Sequence, residues 1–96
     1  MRITWSSRAK KKVWEYGEYI AQDNPEAASE WIEWILDEVE RLKDFPEQGR
    51  KVPEVRRADV REFFFQRHRI VYRIVTKRVV ILTVRHTRQL LNLKEL

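Results

Sequence analysis

The residues of this chain that could do chemistry are few. Cysteine is absent, histidine occurs only at His68 and His86, and glycine only at Gly17 and Gly49. Disulfides, thiolate metal sites and cysteine nucleophiles are therefore excluded. There is no HExxH or equivalent metal spacing and no glycine-rich loop to cradle a nucleotide. A serine nucleophile would need a base and an oxyanion site that the sequence does not supply. Arginine is the abundant reactive type, and it recurs in strand-like segments: Arg69 and Arg73 in "HRIVYRIV", Arg85 in "RVVILTVRH". Arginines can neutralise a pentavalent phosphorane without a metal. Glu54 or His86 could move the protons that RNA cleavage requires, one from the 2′-hydroxyl and one to the leaving 5′-oxygen. Each residue also has an ordinary role open to it. Glu54 after Pro53 can be a solvated loop residue, His86 a packing residue at a strand end, and the arginines partners of carboxylates such as Glu62.

Two helices and four strands must position these side chains. "RITW" reads as a first strand, and Ser6 or Ser7 offers an N-cap for a helix running to about Gln22. Its apolar residues Ala9, Val13, Tyr16 and Ile20 form one stripe at helical spacing. Asn24 and Pro25 restart the chain as a second helix with the stripe Ala28, Trp31, Ile32, Ile35, Val39 and Leu42, ending near "DFPEQG". The period then shifts to two, predicting strands over 59–66, 68–75 and 78–86 with short links between them. The expected fold is α+β, ordered β-α-α-β-β-β. A helical hairpin packs on one face of a mainly antiparallel four-stranded sheet, and the tail "TRQLLNLKEL" forms a last short helix or an extended arm. Alternation places Ile70, Tyr72 and Ile74 toward the helices, together with Val80, Leu82 and Val84. Val79, Ile81 and Thr83 then join Arg69, Arg73 and Arg85 on a face left open, half apolar and half cationic, as a docking surface would be. The same alternation turns His86 toward the helices unless the strand bulges before it.

Composition bounds the class. A chain of 96 residues, 43% hydrophobic and with four tryptophans, suits one folded domain spanning residues 1–96 with a modest core. Its longest apolar run, "VVILTV", is far short of the roughly 20 residues a bilayer span needs, so a cytoplasmic protein without membrane association is the default. Charge is unevenly spread. Residues 1–48 hold 7 Lys/Arg against 11 Asp/Glu, whereas residues 49–96 hold 13 against 4; the balances of −4 and +9 sum to +5. A strongly positive side invites a polyanion or an acidic amphipathic segment that folds on binding. Lys10, Lys11 and Lys12 read first as an ordinary solvated helix terminus.

"GRKVPEVRRADVRE", "HRIVYRI" and "VVILTVRHTRQL", together with the opening "ITWSSRAKKKV" and the junction "YIAQDNPEAASEWI", resemble the RelE/ParE superfamily of type II toxin–antitoxin modules over nearly the whole chain. The resemblance implies growth arrest by the free toxin and neutralisation by a cognate antitoxin, with no cofactor; the basic face makes an acidic antitoxin the expected one. Two branches differ in target. RelE-like and YoeB-like members cleave mRNA in the ribosomal A site without a metal, and ParE-like members poison DNA gyrase. In the nuclease branch Arg69 matches the arginine on the scissile phosphate, Glu54 resembles the general-base glutamate, and Arg88 falls near a second catalytic arginine. With His86 these make the candidate catalytic set, and Arg61, Arg73 and Arg85 the candidate RNA- or target-binding set. Three differences from the nucleases stand out: "DVREFFF" lacks their lysine pair, no tyrosine follows Arg88, and their terminal histidine would fall near Thr87. The ending "VRHTRQL" is at least as close to that of the ParE-like branch, where a histidine follows the last strand and an arginine soon after. The expectation leans to the ribosome-dependent nuclease, with gyrase inhibition as the alternative.

Overall fold

Ser6 Oγ accepts a hydrogen bond from the Ala9 amide at 3.0 Å, and this cap starts α1 (Ser7–Asp23). Asn24 Oδ1 does the same for the Ala27 amide at 3.1 Å and starts α2 (Pro25–Glu40), with Pro25 where its missing N–H costs nothing. One 3₁₀ turn, Arg41–Lys43, ends the hairpin and sets Leu42 fully inside. This is a computed structural model, and it describes residues 1–89 and 91–96. Leu90, part of the tail expected as helix or arm, lies outside the described residues. The tail beyond it carries a single 3₁₀ turn, Leu93–Glu95.

The strands are β1 (Arg2–Trp5), β2 (Arg50–Lys51), β3 (Val60–Phe65), β4 (His68–Val75) and β5 (Arg78–His86), in the spatial order β1-β5-β4-β3-β2. β1 runs parallel to β5 and the other pairs are antiparallel. The fold class is the expected one, with five strands in place of four. The extra strand is only two residues long, too short to show alternation, and lies just before Pro53. The hairpin covers one face, with α1 against β5 and α2 against α1. Gly17 lets the helices meet closely, since a Cβ there would stand 2.9 Å from Ile32 Cδ1. The core beneath the helices joins Trp31, Ile35, Val39 and Leu42 to Ile70, Tyr72, Val79, Ile81 and Val84. Each large side chain buried here contributes about 1.5–3 kcal/mol of apolar transfer.

The faces of β5 correct the expectation. Val71 pairs with Thr83 but Tyr72 pairs with Ile81, so Leu82 is an extra residue, a β-bulge. Alternation breaks there: Val79, Ile81 and Val84 pack toward the helices, while Leu82 packs on the opposite side. Val79 and Ile81 were expected outside, Val80 and Leu82 inside; the bulge reverses the phase before it and leaves Thr83, Val84 and Arg85 as expected. The second face is not open either. Val52, Val60, Val71 and Leu91 form a smaller buried cluster on it, with Val55, Leu82 and Leu96 packed around them. The turn after β2 and the C-terminal segment thus cover much of the face.

Candidate functional site

Arg69 lies at the centre of the second face, opposite Phe64 on β3 and Arg85 on β5. It is only 9% exposed, so its charge needs compensation in place. Glu62, on β3 and wholly buried, accepts from Arg69 Nε at 2.7 Å. Its other oxygen accepts from Arg50 Nε at 2.8 Å. Glu54 closes the far end of the guanidinium: Nη1 and Nη2 of Arg69 each donate to one of its carboxylate oxygens at 3.0 Å. That is the bidentate geometry in which arginine binds carboxylates most strongly. The hydrogen bonds from Arg69 hold the Glu54 carboxyl below its usual pKa, against a smaller opposing effect of burial.

The turn that carries Glu54 is built by hydrogen bonds from the Val55 and Arg56 amides to the Val52 carbonyl, with Val52 fully buried as its anchor. Arg56 closes it at φ 59°, a left-handed conformation uncommon outside glycine. Two further arginines of the face are also matched. Arg85 Nε donates to Glu95 at 2.7 Å, and Thr83 Oγ1 donates to the other oxygen of Glu95 at 3.2 Å. Arg73 Nε reaches Asp59 at 3.0 Å at a half-exposed position. The half-apolar, half-cationic docking surface expected of this face is therefore corrected to a set of internal ion pairs, because the chain's own carboxylates and tail fill it.

The predicted site residues separate into three places. Glu54 and Arg69 are in direct contact. His86 lies across the sheet on the helix side, in edge contact with His68 at 5.6 Å between ring centroids. Its Nδ1 accepts from the Arg88 amide at 3.1 Å, and Arg88 stands exposed in the turn after β5. Arg61 points away from Arg73 and Arg85 and clasps loops, donating to the Gly49 carbonyl at 2.8 Å and the Ala58 carbonyl at 3.0 Å. Sequence reasoning missed Glu95, Asp59 and Arg50 altogether and noted Glu62 only as a pairing partner. One signal could have found the acids: residues 49–96 hold four carboxylates among 13 cations, and all four sit on arginines of this face.

On the helix side a hollow of about 750 Å³ opens between α1 and the ends of β4 and β5, lined by Tyr16, Tyr19, Trp31, His68, His86 and Gln89. Burial, with His86 nearby, pushes the His68 imidazole down to about 4. Among the described residues, no group of His, Asp and Glu is placed to hold a metal ion. No helix among them is long and apolar enough to cross a membrane. Arg69 is taken up by two carboxylates of the chain itself, Glu54 and Glu62. In this arrangement the pair Glu54–Arg69 presents neither a free base nor an uncommitted fork to a phosphate.

Comparison with known proteins agrees with the fold. A family model described as "ParE toxin of type II toxin-antitoxin system, parDE" matches residues 3–91. A protein of Sinorhizobium fredii (strain NBRC 101917 / NGR234), named "Putative toxin Y4kP", is 34% identical over 90 residues, covering 92% of this chain and 90% of that protein. A solved structure titled "Chromosomal ParDE TA system from P. aeruginosa" shares the fold with a TM-score of 0.73 at 22% identity, over 90% of this chain and 95% of that one.

Proposed function

Because this chain belongs to the ParE toxin family of type II toxin–antitoxin systems, we propose that it arrests growth by binding DNA gyrase and that an acidic antitoxin neutralises it. One observation carries the choice of binding over RNA cleavage: Glu54 and Arg69, the two residues a nuclease would need free, are paired with each other in the free chain. A carboxylate whose pKa lies below its usual value is a poor base near neutral pH. Proton transfer by His86 would have to act from the other side of the sheet. A binding toxin needs no such set, and the lysine pair and tyrosine absent from the sequence cost it nothing.

The acidic character of the antitoxin follows from charge. Lys51, Arg56, Arg57, Arg67 and Arg88 are exposed on the basic half of the molecule. Such a surface draws an acidic segment and steers its approach.

Purified protein is assayed for gyrase supercoiling and, in parallel, added to a translating extract whose mRNA ends are mapped by primer extension. Inhibited supercoiling with intact mRNA is the expected result. Discrete cuts inside translated codons, with supercoiling untouched, would overturn the proposal in favour of the ribosome-dependent nuclease.

A further inference from the structure

We infer that the outer fork of Arg69 is a receptor for a carboxylate of an acidic partner segment, and that Glu54 is an internal occupant which the partner displaces. The inference rests on the reading that an acidic antitoxin neutralises the chain. The two carboxylates on Arg69 are not equivalent. Glu62 is fixed in β3, has no exposed surface and also holds Arg50. Glu54 is 33% exposed, sits on a surface turn, and has Arg69 as its side-chain partner.

Exchange at this position avoids the main cost of opening a buried ion pair. Removing Glu54 alone would leave the guanidinium short of one counter-charge in a poorly solvated place. A second carboxylate arriving as Glu54 leaves restores both hydrogen bonds, and the charge on Arg69 is compensated before and after. Glu54 gains water in the exchange and loses nothing but Arg69.

The surroundings state what the incoming segment must carry. Around the turn Arg50 is held by Glu62 and Arg57 by Asp59, while Lys51 and Arg56 are exposed and, among the described residues, make no ion pair, so the rim keeps an excess of positive charge and favours acid. Phe64, directly across the strand pair from Arg69, is 50% exposed, with the Arg50 guanidinium 5.2 Å from its ring centroid. The matching partner therefore presents a glutamate or aspartate beside an aliphatic residue, the first for Arg69 and the second for Phe64. Glu54 holds the receptor closed most of the time, and the apparent affinity for such a segment is lowered by that fraction.

The test compares the full-length wild type with Glu54→Ala, each titrated with propionate and with the blocked peptides acetyl-Leu-Glu-Leu-amide and acetyl-Leu-Gln-Leu-amide. Arginine side-chain N–H resonances and the melting temperature are followed. Propionate should bind Glu54→Ala saturably, raising its melting temperature and shifting the Arg69 signals, with little response from the wild type. The glutamate peptide should bind Glu54→Ala about tenfold more tightly than the wild type, and the glutamine peptide should bind neither. Equal responses in the two proteins, or equal binding of the two peptides, would overturn the exchange. Should Glu54→Ala not fold, Glu54→Gln keeps the turn and one hydrogen bond and is expected to show a smaller shift in the same direction. Co-purification separates the two levels of the inference. An antitoxin that binds wild type and Glu54→Ala alike overturns the displacement and spares the toxin–antitoxin reading, whereas a chain that no antitoxin binds overturns the reading itself.

Discussion

The two faces of the sheet are built from the same strands on different physical terms. Under the helices, Ile35, Leu42, Ile70, Tyr72, Val79, Ile81 and Val84 are all fully buried and almost wholly apolar. The one polar group among them, the Tyr72 hydroxyl, donates to the Pro46 carbonyl at 2.7 Å and accepts from the Gly49 amide at 3.0 Å. On the other face a few valines and leucines surround Arg69, Glu62, Arg85 and Glu95. An apolar core is non-directional and tolerates substitution by volume. A buried ionic cluster adds little net stability over an apolar one, but it fails sharply when one member is removed. The helix face therefore supplies cohesion, and the second face supplies a fixed, charge-matched geometry.

The largest test of this contrast is Arg69→Ala. It strands the fully buried Glu62 with Arg50 alone, and a loss of about 3–5 kcal/mol is expected in urea unfolding. A loss below about 1 kcal/mol would show that the second face relaxes as readily as the apolar one. A mid-sized effect should come from pH. The His68 pKa is pushed from 6.5 down to about 4, so the unfolded chain binds a proton there that the native chain refuses. Stability should fall as pH drops from 6.5 toward 4, by roughly 1–3 kcal/mol given that the ring keeps some contact with water. His68→Gln should flatten that slope. Glu54, whose pKa is lowered from 4.5, acts in a more acid window: its contribution holds above 4.5 and is lost as pH falls through its native value. Acid should thus act through His68 before it acts through Glu54. The smallest effect belongs to Arg73→Ala. Its partner Asp59 lies at the solvated end of the face, and the melting temperature should not move measurably.

Much of the fold was legible because the helices carry clean stripes. Ala28, Trp31, Ile35 and Val39 recur at three and four, and Ser6 and Asn24 are cap residues set where caps are needed. The strand faces were harder. "VVILTV" is apolar at nearly every position, so it has a period of two with no readable phase, and a bulge within it leaves no trace in composition. Arg85 fixed the phase only for residues beyond the bulge. The candidate site was half legible. Glu54 and Arg69 are both recognisable by type, but their contact spans fifteen positions and depends on a turn closed by Arg56 at positive φ. The covering of the face by Leu91 and Glu95 depends on where the tail goes, which local pattern does not specify.

The bulge at Leu82 has a further consequence for how this chain can change over time. In an ordinary strand, gaining or losing one residue turns every side chain beyond it to the wrong face, so length is locked by burial. Here the extra residue is already absorbed, and pairing on either side of it is regular. Loss of Leu82 would remove the irregularity and keep Val79 and Ile81 on one side of it and Val84 on the other facing the helices. Position 82 is therefore where β5 can shorten by one residue without exchanging its two faces, a point of tolerance for deletion inside an otherwise length-locked sheet.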